Sequence, residues 1–214
     1  MHIGIFDSGR GGELVADKLR HLLPSHDLTV VNDIKHAPYG ERSYPDIIRL
    51  TDAAIQPLLT TCPIIVLACN TATAAAIDYL RTTYPATKFI GFEPMLKPAA
   101  HGSSTKRLTL LATRATAYAT RTESLINTYA ANCVILRPDT SGWATAVDHD
   151  EVADIDLAEV ARCVQSGSDA IIIGCTHYIA LMPRIQEKFP DVTLYEPTEA
   201  VARQIKRRVA QLQR

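Results

Sequence analysis

Short runs of β-branched and aliphatic residues recur along the whole chain and limit its fold more than any other feature. The runs lack alternation between apolar and polar residues, a pattern typical of strands that are covered on both faces of a parallel sheet. Eight of them are predicted strands: residues 3–6, 28–31, 64–68, 89–92, 108–112, 134–136, 170–173 and 192–195. Amphipathic helical patterns separate them, at 13–23, 47–59, 72–84 and 157–164. The repeated order of strand, helix and strand predicts an α/β fold.

The predicted strands fall into two similar halves. Residues 94–105 contain Pro98, Gly102 and two serines and are predicted to form the hinge between the halves. A helical stripe at 198–212 is predicted to pack back on the first half. We therefore predict two similar doubly wound domains with mostly parallel sheets, residues 1–95 with 197–214 and residues 96–196, and an active-site cleft between them.

Composition and charge exclude several classes of protein. The 214 residues include 47% hydrophobic and 21% charged side chains, which fits a chain with a buried core and not a disordered one. With 22 basic and 23 acidic residues the net charge is −1, so we expect no nucleic-acid partner. No apolar run approaches the roughly 18 residues of a membrane span, and the N-terminal residues lack the pattern of a signal peptide. We expect no membrane association and a cytoplasmic location.

Five cysteines, an odd number spread over the chain, argue against a disulfide scaffold. Cys62, Cys133 and Cys163 lie in or beside apolar elements and are predicted to be buried as small hydrophobic residues. Cys69 and Cys175 instead follow buried predicted strands and precede helical patterns, where the unsatisfied N–H groups of a helix favour a thiolate. Open α/β sheets bind ligands beyond the carboxyl ends of their strands. The two thiols are therefore expected on facing walls of one cleft between the domains.

Polar side chains accompany both of these cysteines. Asn70, Thr71 and Thr176 offer amide and hydroxyl groups that suit a carboxylate ligand. His177 lies two residues beyond the second cysteine, where an imidazole can tune a thiol or hold a carboxylate. Asp7, at the end of the first predicted strand, is interpreted either as a turn residue or as a carboxylate that positions a base or the ammonium group of a substrate.

The sequence offers little support for a cofactor or a metal ion. The glycine-containing turn at 7–12 departs from the dinucleotide fingerprint, because Leu14 stands where its last glycine or alanine is expected, and no P-loop motif is present. A zinc site built from Cys69, Cys175 and His177 lacks a fourth ligand and has no CxxC pair. We expect neither a cofactor nor a metal.

Several short motifs, in the same order along nearly the whole chain, resemble those of glutamate racemases in the aspartate/glutamate racemase superfamily. The matching motifs are Asp7-Ser8-Gly9-Arg10-Gly11-Gly12, Asp33, Pro38-Tyr39-Gly40, Arg42-Ser43, Cys69-Asn70-Thr71-Ala72-Thr73, Glu93-Pro94, Ala112-Thr113-Arg114-Ala115-Thr116 and Gly174-Cys175-Thr176-His177-Tyr178. Each motif alone is weak, whereas the set is specific. The resemblance implies two similar α/β domains and racemisation of glutamate without a cofactor, which supplies D-glutamate for peptidoglycan.

The resemblance also implies roles for individual residues. Cys69 and Cys175 match the two proton-transfer thiols, of which the first deprotonates D-glutamate and the second L-glutamate. Asp7 and His177 match groups that assist these thiols. Further positions match those that bind the substrate: Asp7, Ser8, Pro38, Tyr39, Gly40, Asn70, Thr71, Thr116, Thr176 and His177. The acidic residue of the second domain is left open among Asp148, Asp150 and Glu151.

Three alternatives to a glutamate racemase stay open on the sequence. One is a racemase of aspartate or of another amino acid, and another is a relative that binds an amino acid without turnover. A cysteine hydrolase is the third. For the first two the expected partner is a small amino acid, and a homodimer is an open option for the assembly.

Overall fold

A computed structural model describes residues 1–213 and consists of two compact units. The first unit comprises Met1–Phe92 and the chain from Pro197 onward, and the second comprises Glu93–Glu196. The sequence places the boundary between its two predicted domains after residue 95, whereas the first unit ends at Phe92. Each unit has its own parallel four-stranded sheet.

The first unit is built on strands that alternate with helices. Its elements follow in the order β1 (His2–Asp7), α1 (Gly11–Leu22), β2 (Asp27–Asn32), α2 (Tyr44–Leu59), β3 (Ile64–Leu67), α3 (Asn70–Thr83) and β4 (Lys88–Gly91). Short 3-10 helices at Ile34–His36 and Tyr39–Glu41 lie between β2 and α2. The strands are arranged β2-β1-β3-β4, and every neighbouring pair is parallel.

In the sheet of the first unit, the order in which the chain adds its strands reverses between β1 and β3. From β1 the chain moves outward to β2 on one side, and the later strands β3 and β4 lie on the other side. Ligands of open α/β sheets bind at this kind of switch point, beyond the carboxyl ends of the two central strands. Phe6 pairs with Leu67, so Asp7 and Cys69 leave their strands at the same edge of the sheet.

The second unit repeats this topology. Its elements are α4 (Leu96–Gly102), β5 (Arg107–Leu111), α5 (Arg114–Ala117), α6 (Thr120–Tyr129), β6 (Val134–Leu136), α7 (Trp143–Asp148), α8 (Ala158–Gln165), β7 (Ala170–Ile173), α9 (Met182–Lys188) and β8 (Thr193–Tyr195). The order β6-β5-β7-β8 is again fully parallel, with the switch point between β5 and β7. Leu111 pairs with Ile173, which brings the residues after both strands to one edge.

These eight strands confirm the predicted α/β fold, and their burial explains why the sequence pattern was informative. The central strands β3 and β7 are buried at all four of their positions. A strand covered on both faces has no solvent side, so it needs no polar residue at alternate positions. The uninterrupted aliphatic runs are the direct consequence.

The last helix, α10 (Thr198–Leu212), belongs to the first unit and contacts α1 and β4. Its stripe of Val201, Ile205 and Val209 is buried, whereas the basic residues at 206–208 are exposed. None of the helices within residues 1–213 combines the length and the apolar character that crossing a membrane requires.

Most of the segment in which the sequence predicts a hinge between the halves forms a helix of the second unit. Within 94–105, the helix α4 buries Leu96, Ala99 and Ala100 in the core of the second unit. Pro98 lies in the first turn of this helix, where N–H groups have no intrahelical partner and a proline costs no hydrogen bond. The proline therefore accompanies a helix start and does not mark a flexible loop.

Candidate active site

The switch point of the first unit brings a carboxylate, a hydroxyl and a thiol together. Asp7 is fully buried and accepts a hydrogen bond from the N–H of Gly9 at 2.9 Å. The Oγ atom of Ser8 lies 3.1 Å from the Sγ atom of Cys69. A Cβ atom at Gly12 would meet two side chains too closely, the Asn32 Oδ1 atom and the Cβ atom of Asp7 at 2.7 Å, so a side chain there would force Asn32 or Asp7 to shift. The turn after β1 thus places polar side chains at the carboxyl end of β3.

Cys69 stands immediately before α3 and caps its N-terminus. Its Sγ atom accepts a hydrogen bond from the N–H of Ala72 at 3.4 Å. The 14-residue helix that follows directs its unsatisfied N–H groups and the positive end of its dipole at the sulfur. A negative charge on sulfur is stabilised in this position. The thiol is 6% exposed, so it is close to the surface of the core but well shielded from water.

Asn70 and Thr71 begin the same helix and are slightly more buried than Cys69, at 4% and 5% exposure. The Nδ2 atom of Asn70 donates to the carbonyl oxygen of Phe92 at 3.2 Å, which fixes the orientation of the amide. Side-chain and backbone donors therefore lie close together at the first turn of α3. Such a corner suits a carboxylate ligand.

Pro38, Tyr39 and Gly40 lie in the segment between β2 and α2. The Tyr39 ring is buried against Phe6, with ring centroids 6.2 Å apart, and its hydroxyl donates to the Oδ2 atom of Asp33 at 2.7 Å. Burial, followed by the hydrogen bond and charge of Asp33, raises the pKa of the Tyr39 phenol. The phenol is therefore neutral, and its proton is engaged. Pro38 and Gly40 on either side are partly exposed.

The switch point of the second unit has a different local structure around its thiol. Cys175 follows β7 and is 8% exposed, but the residues after it, Thr176–Leu181, form a 3-10 helix, and the cysteine side chain makes no capping hydrogen bond. Cys175 thus stands at the N-cap of a 3-10 helix, whereas Cys69 directly precedes an α-helix, a difference that the sequence did not predict. The α-helix begins only at α9 because Pro183 has no N–H to bond an earlier carbonyl and is accommodated in a first turn.

An imidazole and a carboxylate lie beside Cys175. The Nδ1 atom of His177 lies 3.8 Å from the Cys175 Sγ atom, and its Nε2 atom lies 3.0 Å from the Oδ1 atom of Asp148. Of the three acidic residues left open by the sequence, the structure thus brings Asp148 to the site, at the end of α7. Asp150 and Glu151 are exposed.

Thr116 and Thr176 are buried beside the ends of β5 and β7, at 1% and 3% exposure. The Oγ1 atom of Thr113 accepts a hydrogen bond from the Thr116 N–H at 3.4 Å and donates to its Oγ1 atom at 3.2 Å. The carbonyl oxygen of Thr116 accepts from Thr122 at 2.6 Å. These bonds hold the short helix α5 in place at the carboxyl edge of the sheet.

The sequence analysis did not predict the packing and hydrogen bonds of Tyr178, the residue after His177. Tyr178 is 1% exposed and donates to the Oγ1 atom of Thr140 at 3.0 Å, and its ring meets Trp143 edge-on with centroids 5.5 Å apart. Burial, together with the charge of Cys175, raises the pKa of the Tyr178 phenol. The GCTHY motif signals Tyr178, but the partners come from a segment that only the tertiary structure identifies.

The other three cysteines differ in burial. Cys62 is buried as predicted, at 2% exposure, whereas Cys133 and Cys163 are partly exposed, which corrects the sequence prediction. Cys133 directly precedes the edge strand β6, and Cys163 lies in α8, where Val160 is the buried position. Within residues 1–213 no group of three His, Cys, Asp or Glu side chains is arranged to hold a metal ion.

Fold and site together define a class of protein: a chain of two parallel α/β units, each with a cysteine beyond the carboxyl end of a central strand. The family model for Asp/Glu/Hydantoin racemase matches residues 13–205. The chain belongs to this family.

Curated relatives share the whole length of the chain. It is 35% identical over 216 residues to a protein of Pseudomonas putida (strain W619) named glutamate racemase, with 97% of this chain and 81% of the relative covered. A glutamate racemase of Herpetosiphon aurantiacus is 37% identical over 215 residues, with 97% and 84% covered.

Solved structures of glutamate racemases are also similar to this chain. The glutamate racemase of Escherichia coli, in complex with L-glutamate and the activator UDP-MurNAc-ala, superposes with a TM-score of 0.85 at 28% identity, covering 96% of this chain and 80% of that one. The Thermus thermophilus glutamate racemase, in complex with beta-chloro-D-alanine, has a TM-score of 0.78 at 27% identity, with 98% and 80% covered. An aspartate racemase of Picrophilus torridus, at 20% identity and a TM-score of 0.61 with 94% and 90% covered, shares the fold.

Proposed function

We propose that this protein is a cofactor-independent glutamate racemase that interconverts L- and D-glutamate. The observation that carries the proposal is the repetition of one arrangement: a buried, polar-flanked cysteine at the switch point of each unit. Curated relatives that are 35% and 37% identical over nearly the whole chain carry the name glutamate racemase, which supports glutamate as the substrate.

In this proposal Cys69 and Cys175 act on opposite faces of the α-carbon of the amino acid. One sulfur is a thiolate and takes the α-proton. The electron pair of the broken Cα–H bond stays on Cα, which becomes a carbanion. The other sulfur is a thiol and gives its proton to the opposite face. The thiolate and the thiol have then exchanged roles, and the enzyme is ready for the other enantiomer.

Two thiols suit this reaction because inversion needs two groups. A single base tends to return the proton that it removed, to the same face. An ordinary thiol has a pKa of about 8.5, near enough to neutrality for either protonation state to be supplied by modest tuning, whereas a serine hydroxyl is far too weak a base. In this proposal the two thiols transfer the protons directly, so the reaction needs no cofactor.

The surrounding side chains supply the remaining functions. Asn70, Thr71, Thr116 and Thr176 are proposed to bind the substrate with donors to its α-carboxylate, which stabilise the negative charge that develops in the transition state. Asp7 is proposed to assist at Cys69. The same assistance at Cys175 is assigned to His177, held in turn by Asp148. Ser8, Pro38, Tyr39 and Gly40 complete the proposed binding surface.

The proposed biological role is the supply of D-glutamate for peptidoglycan, and the proposed location is the cytoplasm, where such precursors are made. A homodimer is the assembly we propose to test, by light scattering of the purified protein.

The test is circular dichroism of the purified protein with each glutamate enantiomer, followed by the reaction in deuterium oxide. Both enantiomers should converge on a racemic mixture, and the product should carry solvent deuterium at Cα without added pyridoxal phosphate or metal. Cys69→Ser and Cys175→Ser should each lower kcat/KM by about 10²-fold or more, the usual contribution of a general acid or base. Cys133→Ser serves as the matched control and should keep the wild-type rate.

Three outcomes would contradict the proposal. Near wild-type racemisation by either of the two active-site variants would remove the two-thiol mechanism. Faster turnover of aspartate or another amino acid than of glutamate would change the substrate. Binding of glutamate with no exchange of its α-proton would make the protein a binding relative and not an enzyme.

A further inference from the structure

The hydroxyl of Thr140 joins two segments that carry residues of the candidate site. Thr140 is 5% exposed, so its polar atoms depend on partners within the protein. Its Oγ1 atom donates to the carbonyl oxygen of Ala112, the residue after β5, at 2.8 Å. Because a hydroxyl has one proton, the same oxygen meets Tyr178 as an acceptor, and the phenol donates to it at 3.0 Å. Thr140 thereby connects the end of β5 to the 3-10 helix that carries His177.

The start of α7 is attached to the same two side chains. The N–H of Trp143 donates to the carbonyl oxygen of Thr140 at 3.2 Å, and the Trp143 ring meets the Tyr178 ring edge-on. Trp143 is the buried residue of this six-residue helix, which is too short to be stable without tertiary contacts. The position of α7 therefore depends on what holds its first residue.

Asp148 ends the same helix and forms a second attachment. Its Oδ1 atom lies 3.0 Å from the Nε2 atom of His177, whose Nδ1 atom lies 3.8 Å from the Cys175 sulfur. Tyr178 directly follows His177, so α7 contacts one 3-10 helix through both its first and its last residue. A displacement of α7 at its start would therefore move the carboxylate at its end away from the imidazole.

We propose that Thr140 is a positioning residue for the pair of His177 and Asp148. It holds the Tyr178 hydroxyl and the start of α7, and this keeps the carboxylate against the imidazole beside Cys175. A carboxylate partner orients an imidazole and stabilises its protonated form. Loss of this partner should slow proton transfer at the Cys175 sulfur more than at the other sulfur. The inference rests on the proposed two-thiol racemisation.

The first readout is kcat/KM on glutamate for variants of Thr140 and Tyr178. Thr140→Val keeps the shape of the side chain but removes its hydroxyl, and Tyr178→Phe removes the phenol that donates to it. Each should lower kcat/KM about fivefold to tenfold, the equivalent of one or two hydrogen bonds. The two changes share a hydrogen bond, so the double variant should lose less than the product of the single losses. Thr140→Ser keeps the hydroxyl and should stay within about twofold of wild type.

The second readout separates the two thiols by isotope effects. By symmetry the equilibrium constant of a racemisation is unity, so kcat/KM on the two enantiomers stays equal in every variant. Deuterium at Cα, however, slows only the step in which that deuterium is removed. Thr140→Val should therefore raise the isotope effect on the enantiomer that delivers its proton to Cys175, which the resemblance identifies as L-glutamate, and lower it on the other. A general loosening of the fold would not move the two in opposite directions.

Thr109 provides a matched control in the same unit. It is fully buried in β5, and its hydroxyl donates to the Oγ atom of Ser168 at 2.8 Å. Thr109→Val therefore removes an equivalent buried hydrogen bond of a threonine, but one that does not lead to α7 or to His177. This variant should leave both isotope effects at their wild-type values, even where its Tm falls.

Four results would overturn the proposal for Thr140. They are additive losses in the double variant, a Thr140→Ser variant as slow as Thr140→Val, a Thr109→Val variant with the same isotope effects as Thr140→Val, and isotope effects in Thr140→Val that are unchanged, shift together or shift in the reverse sense. If Thr140→Val does not fold, the isotope effects are measured on Tyr178→Phe, with the same expected result. Loss of the proposed function itself would be recognised separately, by a wild-type protein that does not racemise glutamate.

Discussion

Asp169 holds together the starts of two paired strands, and removing its carboxylate should destabilise the second unit. Asp169 precedes β7, and its partners precede β5, the neighbouring strand. Its Oδ1 atom accepts the Ser103 hydroxyl at 2.5 Å. Its Oδ2 atom accepts the Ser104 N–H at 2.7 Å, the Ser104 hydroxyl at 2.8 Å and the Thr105 N–H at 3.1 Å. A single side chain thus satisfies donors along the whole turn that leads into the sheet.

The size of the effect follows from which donors water can reach in the variant Asp169→Ala. Ser103 is 4% exposed, so its hydroxyl loses its acceptor without gaining water, whereas Ser104 and Thr105 are exposed and rehydrate. An unsatisfied buried group and the lost charge-assisted bonds together cost about 2–3 kcal/mol. For a chain of this length that corresponds to a fall in Tm of about 4–12 °C. Asp169→Asn keeps an acceptor and should lose less.

The same interaction predicts a dependence on pH. Burial alone would raise the pKa of Asp169, but the hydrogen bonds from Ser103, Thr105 and Ser104 outweigh it and hold the pKa well below its ordinary value. The stabilisation is therefore complete above the ordinary pKa of an aspartate, about 4, and is lost as the pH falls toward the depressed value. The difference in Tm between wild type and Asp169→Asn should shrink as the pH is lowered below about 4.

Thermal unfolding, followed by circular dichroism at neutral and acidic pH, is the appropriate assay. Asp139→Ala is the control, because its exposed carboxylate accepts bonds only from Ser141, two residues away, and connects no strands. Its effect on Tm should be clearly smaller. The reasoning is refuted if Asp169→Ala unfolds at the wild-type temperature, or if its deficit persists unchanged in acid.

Three further variants test other parts of the structure. Gly12→Ala should lower both the Tm and kcat/KM on glutamate, because the new methyl group clashes with Asn32 and with the Cβ atom of Asp7; wild-type values of both would contradict the close approach at this turn. Asp148→Asn should reduce kcat about 10-fold to 100-fold at an unchanged Tm, since His177 loses a charged partner at 3.0 Å; an unchanged kcat would exclude this carboxylate from the site. Ile65→Ala in the fully buried β3 should lower the free energy of unfolding by about 2–5 kcal/mol in denaturant titrations, and a loss near zero would contradict the assigned core.

The sequence was most informative where burial alone decides the residue type. The central strands β3 and β7 are covered on both faces, which leaves an uninterrupted aliphatic run as their signature. The strands β2, β6 and β8 were also recognised, although they are only partly buried. The stripe of α10 was recognised because one face of the helix is buried. The motifs at the ends of β1, β3 and β7 then indicated where ligand-binding residues would lie, because the topology of a parallel sheet gathers them at one edge.

The sequence was least informative where a residue type has two structural uses. Pro98 can interrupt a chain or occupy the first turn of a helix, and only the burial of its neighbours in α4 decides for the helix. The choice of Asp148 over Asp150 and Glu151 depends on where α7 ends, a matter of tertiary packing against the 3-10 helix that carries His177. Neither distinction is encoded in local periodicity.

The two thiols are thus supported by different means, although the topology around them is repeated. The sulfur of Cys69 accepts a backbone N–H at the start of α3, and its site has a buried carboxylate and a tyrosine held by Asp33. Cys175 precedes a 3-10 helix, makes no capping hydrogen bond with its side chain, and is accompanied by His177 and Asp148. If both sulfurs act on a reaction whose equilibrium constant is unity, each must be able to exist as thiolate and as thiol within one catalytic cycle. The N-terminus of α3 favours the thiolate of Cys69, whereas an imidazole lies beside the Cys175 sulfur, so the repeated fold does not repeat the electrostatics around the two thiols.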